Sequence, residues 1–309
     1  MRLRRLEIDH RRWLLRARFV VCAAAIILCT CGGGARVKTN GYHPVHGAWV
    51  YDIKQHNDSL YFSTSESGVF SFHPDHPNAV RPVGRSRRQP FRTMCFTKDN
   101  VLLAASYYAG VFRASHDTML SVPWARYPAW AMRLDGQGSM WLACPQGVLR
   151  QQGDSLVRFC GVRDAHDIAF FHGMVAVAHM RGISLYNREN GALVNDFGKG
   201  LVCWSVTAYD TLLIGGGVER CLIISKDSSA YSCRQMRFGP AHNILWSTAL
   251  DSGGVLLCAT QQGLYSARLS DTVAVLAGFE SVCCKSVFID TKGRTWVGRF
   301  VKPSRWLFF

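Results

Sequence analysis

The chain has 309 residues, 48% hydrophobic and 12% aromatic, with 36 Lys and Arg against 21 Asp and Glu and a net charge of +15. No long polar low-complexity tract appears, which excludes a largely disordered protein, and the length allows one large or two ordinary domains.

Residues 1–18 carry seven Arg against Glu7 and Asp9, and residues 19–30 carry no charge. A basic stretch followed by a short apolar one predicts an export signal over 1–30, since twelve apolar residues fall well short of the roughly 20 that span a bilayer as a helix. The segment then runs Leu28-Cys29-Thr30-Cys31-Gly32-Gly33-Gly34, which resembles a bacterial lipoprotein signal with Cys31 as the lipidated first residue. Cys29 stands where the resemblance expects Ala or Ser, so ordinary cleavage and an uncleaved anchor are the alternatives. Residues 31–35 read as a flexible tether and 36–309 as the folded domain. Losing 1–30 removes seven Arg and two acids, lowering the net charge from +15 to +10. A basic exported surface matches anionic lipids, cell-wall polymers or an acidic protein better than nucleic acid.

The rest of the chain repeats itself. Leu60-Tyr-Phe-Ser-Thr leads to Gly68, Leu102-Leu-Ala-Ala to Gly110, Val175-Ala-Val-Ala to Gly182, and Leu212-Leu-Ile-Gly to Gly217. The fullest copies, residues 130–149 and 246–265, align without a gap: Trp, Asp five later, Gly three after that, a large apolar residue, then Gly147 or Gly263. The glycines at 68, 110, 147, 182, 217 and 263 are 42, 37, 35, 35 and 46 residues apart, a period typical of repeat architectures. Within the third copy, short alternating runs separated by Asp and Gly turns predict strands over 129–134, 139–144, 147–151 and 155–160. No stretch holds a helical period for long. A four-stranded sheet cannot bury two apolar faces alone, so the copies are expected to stack radially as an all-β, seven-bladed β-propeller of four-stranded antiparallel blades. The repeated Trp residues read as packing between blades, or less simply as a ligand platform, and Ala143, Cys144, Cys258 and Ala259 as close-approach positions.

The copies at Asp135, Asp251 and Asp290, for example Asp290-Thr-Lys-Gly-Arg-Thr-Trp-Val-Gly298, resemble two-component regulator propeller repeats. The resemblance covers most of 46–300 and implies a propeller of the kind found outside the cytoplasm in sensor kinases. No membrane helix or kinase segment follows here, so a sensor role within one polypeptide is not expected. Lys302 stands where the last copy should carry Gly, leaving that blade short of a strand. Residues 36–42 are expected to close the ring as an N-terminal strand.

Signals of chemistry are sparse. Nine cysteines follow Cys31; Cys221 and Cys233, symmetric about Asp227, are the candidate disulfide, the alternative being two separate small residues. His73-Pro-Asp-His76 is a short loop with loosely metal-like content but reads as a solvated turn, and no C-x-x-C suggests zinc. Gly215-Gly-Gly-Val-Glu-Arg220 lacks the last glycine of a nucleotide loop, and no catalytic elbow or His-Glu-x-x-His occurs, so neither a cofactor nor a metal is expected. Arg and aromatic residues do concentrate in loops assigned to one face: Arg85, Arg87, Arg88, Tyr107, Tyr108, Trp124, Arg126, Tyr127, Arg181, Arg220, Arg237, Phe238 and His242. That composition suits recognition, against the simpler alternative of scattered solvated charges. The expected function is a membrane-tethered, extracytoplasmic binding or scaffold protein for an acidic protein or envelope component. The alternative is a hydrolase or lyase working at the channel mouth.

Overall fold

Each expected Asp and Gly turn joins two short antiparallel strands in the computed structural model, which describes residues 23–30, 38–46, 48–84, 89–227 and 230–301. In the third repeat, Ala131–Leu134, Met140–Cys144, Gly147–Gln152 and Ser155–Cys160 form one meander, with Leu142 opposite both Met132 and Leu149. The turn motif has a direct physical cause. Asp135 Oδ1 accepts the backbone N–H groups of Gln137 and Ser139, both at 2.9 Å, and Oδ2 accepts Trp141 Nε1 at 2.9 Å. Asp290 does the same with Lys292, Arg294 and Trp296 at 2.9, 2.9 and 3.0 Å. One carboxylate thus closes the turn and fixes the indole six residues on, and both indoles are buried.

The recurring glycine opens the third strand of its repeat at Gly110, Gly147, Gly182 and Gly263, whereas Gly217 closes the second. Gly182 has φ +130°, and a Cβ there would overlap the Phe197 carbonyl oxygen and lie 3.0 Å from that of Gly198. Only glycine tolerates both the backbone angle and the approach.

Hydrophobic clusters form between consecutive repeats, not within them. Trp141, Ala143 and Val148 pack on Ile168, Val175 and Val177 of the next repeat, and Trp296 of the last packs on Val50, Phe62 and Phe72 of the first. The innermost strands Val50–His56, Thr93–Phe96, Ala131–Leu134, Ala165–Phe171, Cys203–Ala208, Leu245–Leu250 and Cys284–Ile289 neighbour one another in that order, and the last returns to the first. The chain is therefore all-β, without a helix among the described residues, and arranged around an axis.

The expected seven-bladed ring of separate four-stranded blades is corrected. The described strands form five four-stranded sheets and one eight-stranded sheet. In the larger sheet the long strand Tyr231–Phe238 runs on to pair in parallel with Val273–Gly278, Arg237 opposite Val273 and Phe238 opposite Ala274. Phe238 and Ala274 bury in one cluster there, so the burial that should separate two blades joins them edge to edge. Closure differs too. Two N-terminal strands join the last sheet, not one: Ala23–Thr30 pairs with Thr295–Val301, and Lys38–His46 lies outside it. The inner of these falls within the expected export signal. Its apolar, β-branched content serves a strand as well as a signal core.

The 73–76 loop is an ionic clasp between the first and last sheets. Asp75 pairs with Lys292 at 2.8 Å and with Arg294, which also holds Asp290 at 2.6 Å. Bonds from Lys292 and Arg294 bring the Asp75 carboxyl from 3.8 to about 2. A depressed carboxyl stabilises the fold above its unfolded pKa and ceases to do so as pH falls through the folded one. The melting temperature of the wild type is therefore expected to exceed that of Asp75→Asn at neutral pH, the gap closing between pH 3.8 and about 2. A gap independent of pH would show that the clasp contributes no linked stability.

Candidate functional site

On five of the inner strands the pairing slips by one residue near the start, between Val50 and Asp52, Ala165 and Asp167, Cys203 and Ser205, Leu245 and Ser247, and Cys284 and Ser286. Such bulges re-aim a side chain. The skipped residues are Tyr51, His166, Trp204, Trp246 and Lys285, and all line an axial channel of about 540 Å³. Arg92 and Trp130, just before the two remaining inner strands, complete the ring.

Neighbouring members touch around the ring. The Arg92 guanidinium lies 4.9 Å from the Tyr51 ring centre and 4.1 Å from that of Trp130. Trp130 meets His166 edge-on at 5.8 Å, His166 stacks on Trp204 at 4.2 Å, and Trp204 meets Trp246 at 5.5 Å. Lys285 Nζ sits 3.0 Å from the Trp246 centre and 5.4 Å from that of Trp49. Tyr107 packs on Trp130 at 4.5 Å and on Tyr108 at 5.0 Å, and Tyr108 is 78% exposed. The mouth therefore has two sectors: cations flanking Tyr51, and a run of indoles and imidazole opposite.

The electrostatics are lopsided. Neither Arg92 nor Lys285 has a carboxylate partner among the described residues. Burial pushes the Lys285 ammonium down to about 8, partly offset by Cys283 and reinforced by the like charge of Arg92. His166 Nδ1 lies 2.8 Å from the Cys203 carbonyl, which makes Nδ1 the protonated nitrogen, and burial lowers the imidazole's pKa. The next layer holds acids, but they tie inner strands together. Asp52 Oδ2 accepts Met94 N–H at 3.0 Å, and Asp167 Oδ2 accepts Val206 N–H at 3.1 Å. Arg133 donates to Asp167 Oδ1 at 2.8 Å, and burial pushes that carboxyl up against the pull of Arg133. These carboxylates are engaged in structure and leave little for acid–base work.

The sequence-derived face is divided by the structure. Tyr107 and Tyr108 stand at the mouth. Arg85, Arg87, Arg88 and the lipidation candidate Cys31 lie outside the described residues. Arg126, Tyr127, Arg181, Arg237 and His242 are exposed on loops and strand ends, and Arg220 pairs with Gln235 at 2.8 Å. Trp124 packs half-buried against the cluster of Val122 and Ala125. Phe238 is corrected from the face to the core, being 1% exposed, because the parallel pairing described above covers it. The Cys221–Cys233 disulfide is corrected as well. The hairpin register sets Cys221 opposite Met236 and Cys233 opposite Ile224, three residues out of step, and both thiols are free. Trp130 and Trp246 line the channel instead of packing between repeats, whereas Trp141 and Trp296 pack as expected.

Sequence reasoning missed Tyr51, Arg92, His166, Trp204 and Lys285. A signal existed: Tyr51, Trp130 and Trp246 each precede the repeated glycine by seventeen residues, and Lys285 precedes the anomalous Lys302 by the same interval.

No protein-family model matches the chain, and no curated protein matches it. Solved structures do. The chain is similar to the extracellular domain of a hybrid two-component system, BT4673 of B. thetaiotaomicron, with TM-score 0.67 and 16% identity over 90% of this chain and 40% of that one. It is also similar to the WD40 β-propeller domain of Doa1, with TM-score 0.64 and 11% identity over 84% of this chain and 95% of that one. A designed protein, Ika8, matches with TM-score 0.62 and 9% identity over 91% and 96% of the two chains. The chain spans about 40% of the BT4673 domain. At these identities the likeness shows the fold, a β-propeller, and no more.

Proposed function

We propose that this protein is an extracytoplasmic binding propeller, tethered by its N-terminus, that recognises an acidic protein or an anionic envelope component through the channel mouth and its surrounding loops. The observation that carries this is the pair of half-buried cations, Arg92 and Lys285, set among aromatic rings with no carboxylate partner among the described residues. A site that keeps cations out of ion pairs suits an anionic partner. The engaged state of Asp52 and Asp167 weighs against a hydrolase or lyase. Extracytoplasmic placement is supported by the extracellular domain among the structural neighbours and by the basic and apolar N-terminal segments.

The test is recovery of the protein from an envelope fraction, with its intact mass and its bound material measured together. A chain beginning at Cys31 supports a lipid tether there, and one that retains 23–30 overturns that tether, since cleavage and the observed strand pairing compete for those residues. Charge reversal at Arg126, Arg181 and Arg237 is expected to weaken capture of acidic material at least about tenfold. Unchanged capture would remove these loops from the binding surface.

A further inference from the structure

The channel mouth has a polarity that goes beyond a generally basic surface. Arg92 and Lys285, on either side of Tyr51, lie against the rings of Trp130 and Trp246, and together with Trp204 they line a space of about 540 Å³. That volume is in the range that small-molecule sites occupy. Among the buried lining groups without a hydrogen-bond partner among the described residues are Trp204 Nε1 and Ser205 Oγ. A buried donor left without an acceptor is costly, so such groups in a lining favour an acceptor-bearing occupant. The two carboxylates of the lining, Asp52 and Asp167, pair with Lys54 and Arg133 and not with Arg92 or Lys285.

We infer that the channel mouth is a site for a small organic anion, whose anionic group sits between Arg92 and Lys285 and whose flat ring lies on the tryptophan sector. This deepens the proposed function, resting on the mouth as its binding surface and naming the chemistry the site takes. Arg92 offers a planar fork and Lys285 a point charge, so a carboxylate and a phosphate both satisfy the cationic sector. The ring-shaped body gains from indole faces without needing a particular hydrogen-bond pattern. Donors without matching acceptors in the site discriminate against a neutral ligand of the same shape.

The experiment is titration of the purified protein with benzoate, phenyl phosphate and the neutral benzamide, read by tryptophan fluorescence and calorimetry up to about 10 mM ligand. At least one anion is expected to saturate, with benzamide at least tenfold weaker, about 1.4 kcal/mol. Whichever anion binds more tightly identifies a carboxylate or a phosphate as the preferred group. Lys285→Met is expected to remove at least tenfold in affinity while the far-ultraviolet spectrum and melting temperature stay near wild type. The benzamide comparison needs no variant, so it stands even if Lys285→Met misfolds. Equal binding of benzamide and the anions, or no saturation by either anion, overturns the proposal. Should envelope capture fail while an anion still saturates, the partner reading falls and the anion site remains.

Discussion

Asp290→Ala is expected to be among the most damaging single substitutions in this protein, lowering stability by about 3–5 kcal/mol and the melting temperature by roughly 10 °C or more. The side chain is fully buried and accepts from two backbone N–H groups, Trp296 Nε1 and Arg294 Nε. Truncation leaves the buried indole N–H without a partner and Arg294 with only the exposed Asp75. Asp290→Asn preserves shape and one acceptor and is expected to cost about half as much. Asp251 is the internal control. It occupies the same place in its repeat, but Leu257 replaces the Trp, and among the described residues its carboxylate accepts Val255 N–H alone, at 2.7 Å. Asp251→Ala should cost about 1 kcal/mol. Denaturant unfolding of the three variants checks the ordering; equal losses at 251 and 290 would falsify the role given to the indole bond.

Gly182→Ala is expected to cost at least about 3 kcal/mol, with no compensating gain from a stiffer unfolded chain. The methyl group would have to displace the Phe197 carbonyl, itself fixed because Phe197 pairs with Ile183 across the hairpin. Gly173 gives the contrast. Its φ is +77° but nothing lies within 4 Å of a Cβ there, so Gly173→Ala carries the backbone strain alone, about 1 kcal/mol. Melting curves of both variants separate crowding from strain, and similar midpoints would show that the close approach at Gly182 relaxes without cost.

The two glycines illustrate why the sequence was readable in some places and silent in others. Asp135, Gly138 and Trp141 act on one another within six residues, so their spacing survives as a motif. The channel ring has a weaker signature, a seventeen-residue interval to the repeated glycine that only some of its members keep. Tyr51, Arg92, Trp130, His166, Trp204, Trp246 and Lys285 share a position but, the three tryptophans apart, no residue type, because each needs only to point at the axis. The Arg-rich and aromatic exposed loops include Tyr107 and Tyr108 at the mouth but not Arg92 and Lys285, which sit at the start of inner strands.

From the chain alone came the repeat, the short antiparallel strands, the turn carboxylates and the burial of Trp141 and Trp296, all consequences of contacts between residues close in sequence or of strict alternation. Tertiary structure alone decided the rest. Whether Trp246 is core or channel depends on a one-residue bulge, and whether Phe238 is exposed depends on a strand more than thirty residues later in the chain. The same holds for the last sheet, where Ala23–Thr30 meets Thr295–Val301 from the far end of the polypeptide. Pairings of that range leave no periodic trace in the sequence, because either edge could hydrogen-bond with any strand that the closing ring brings alongside.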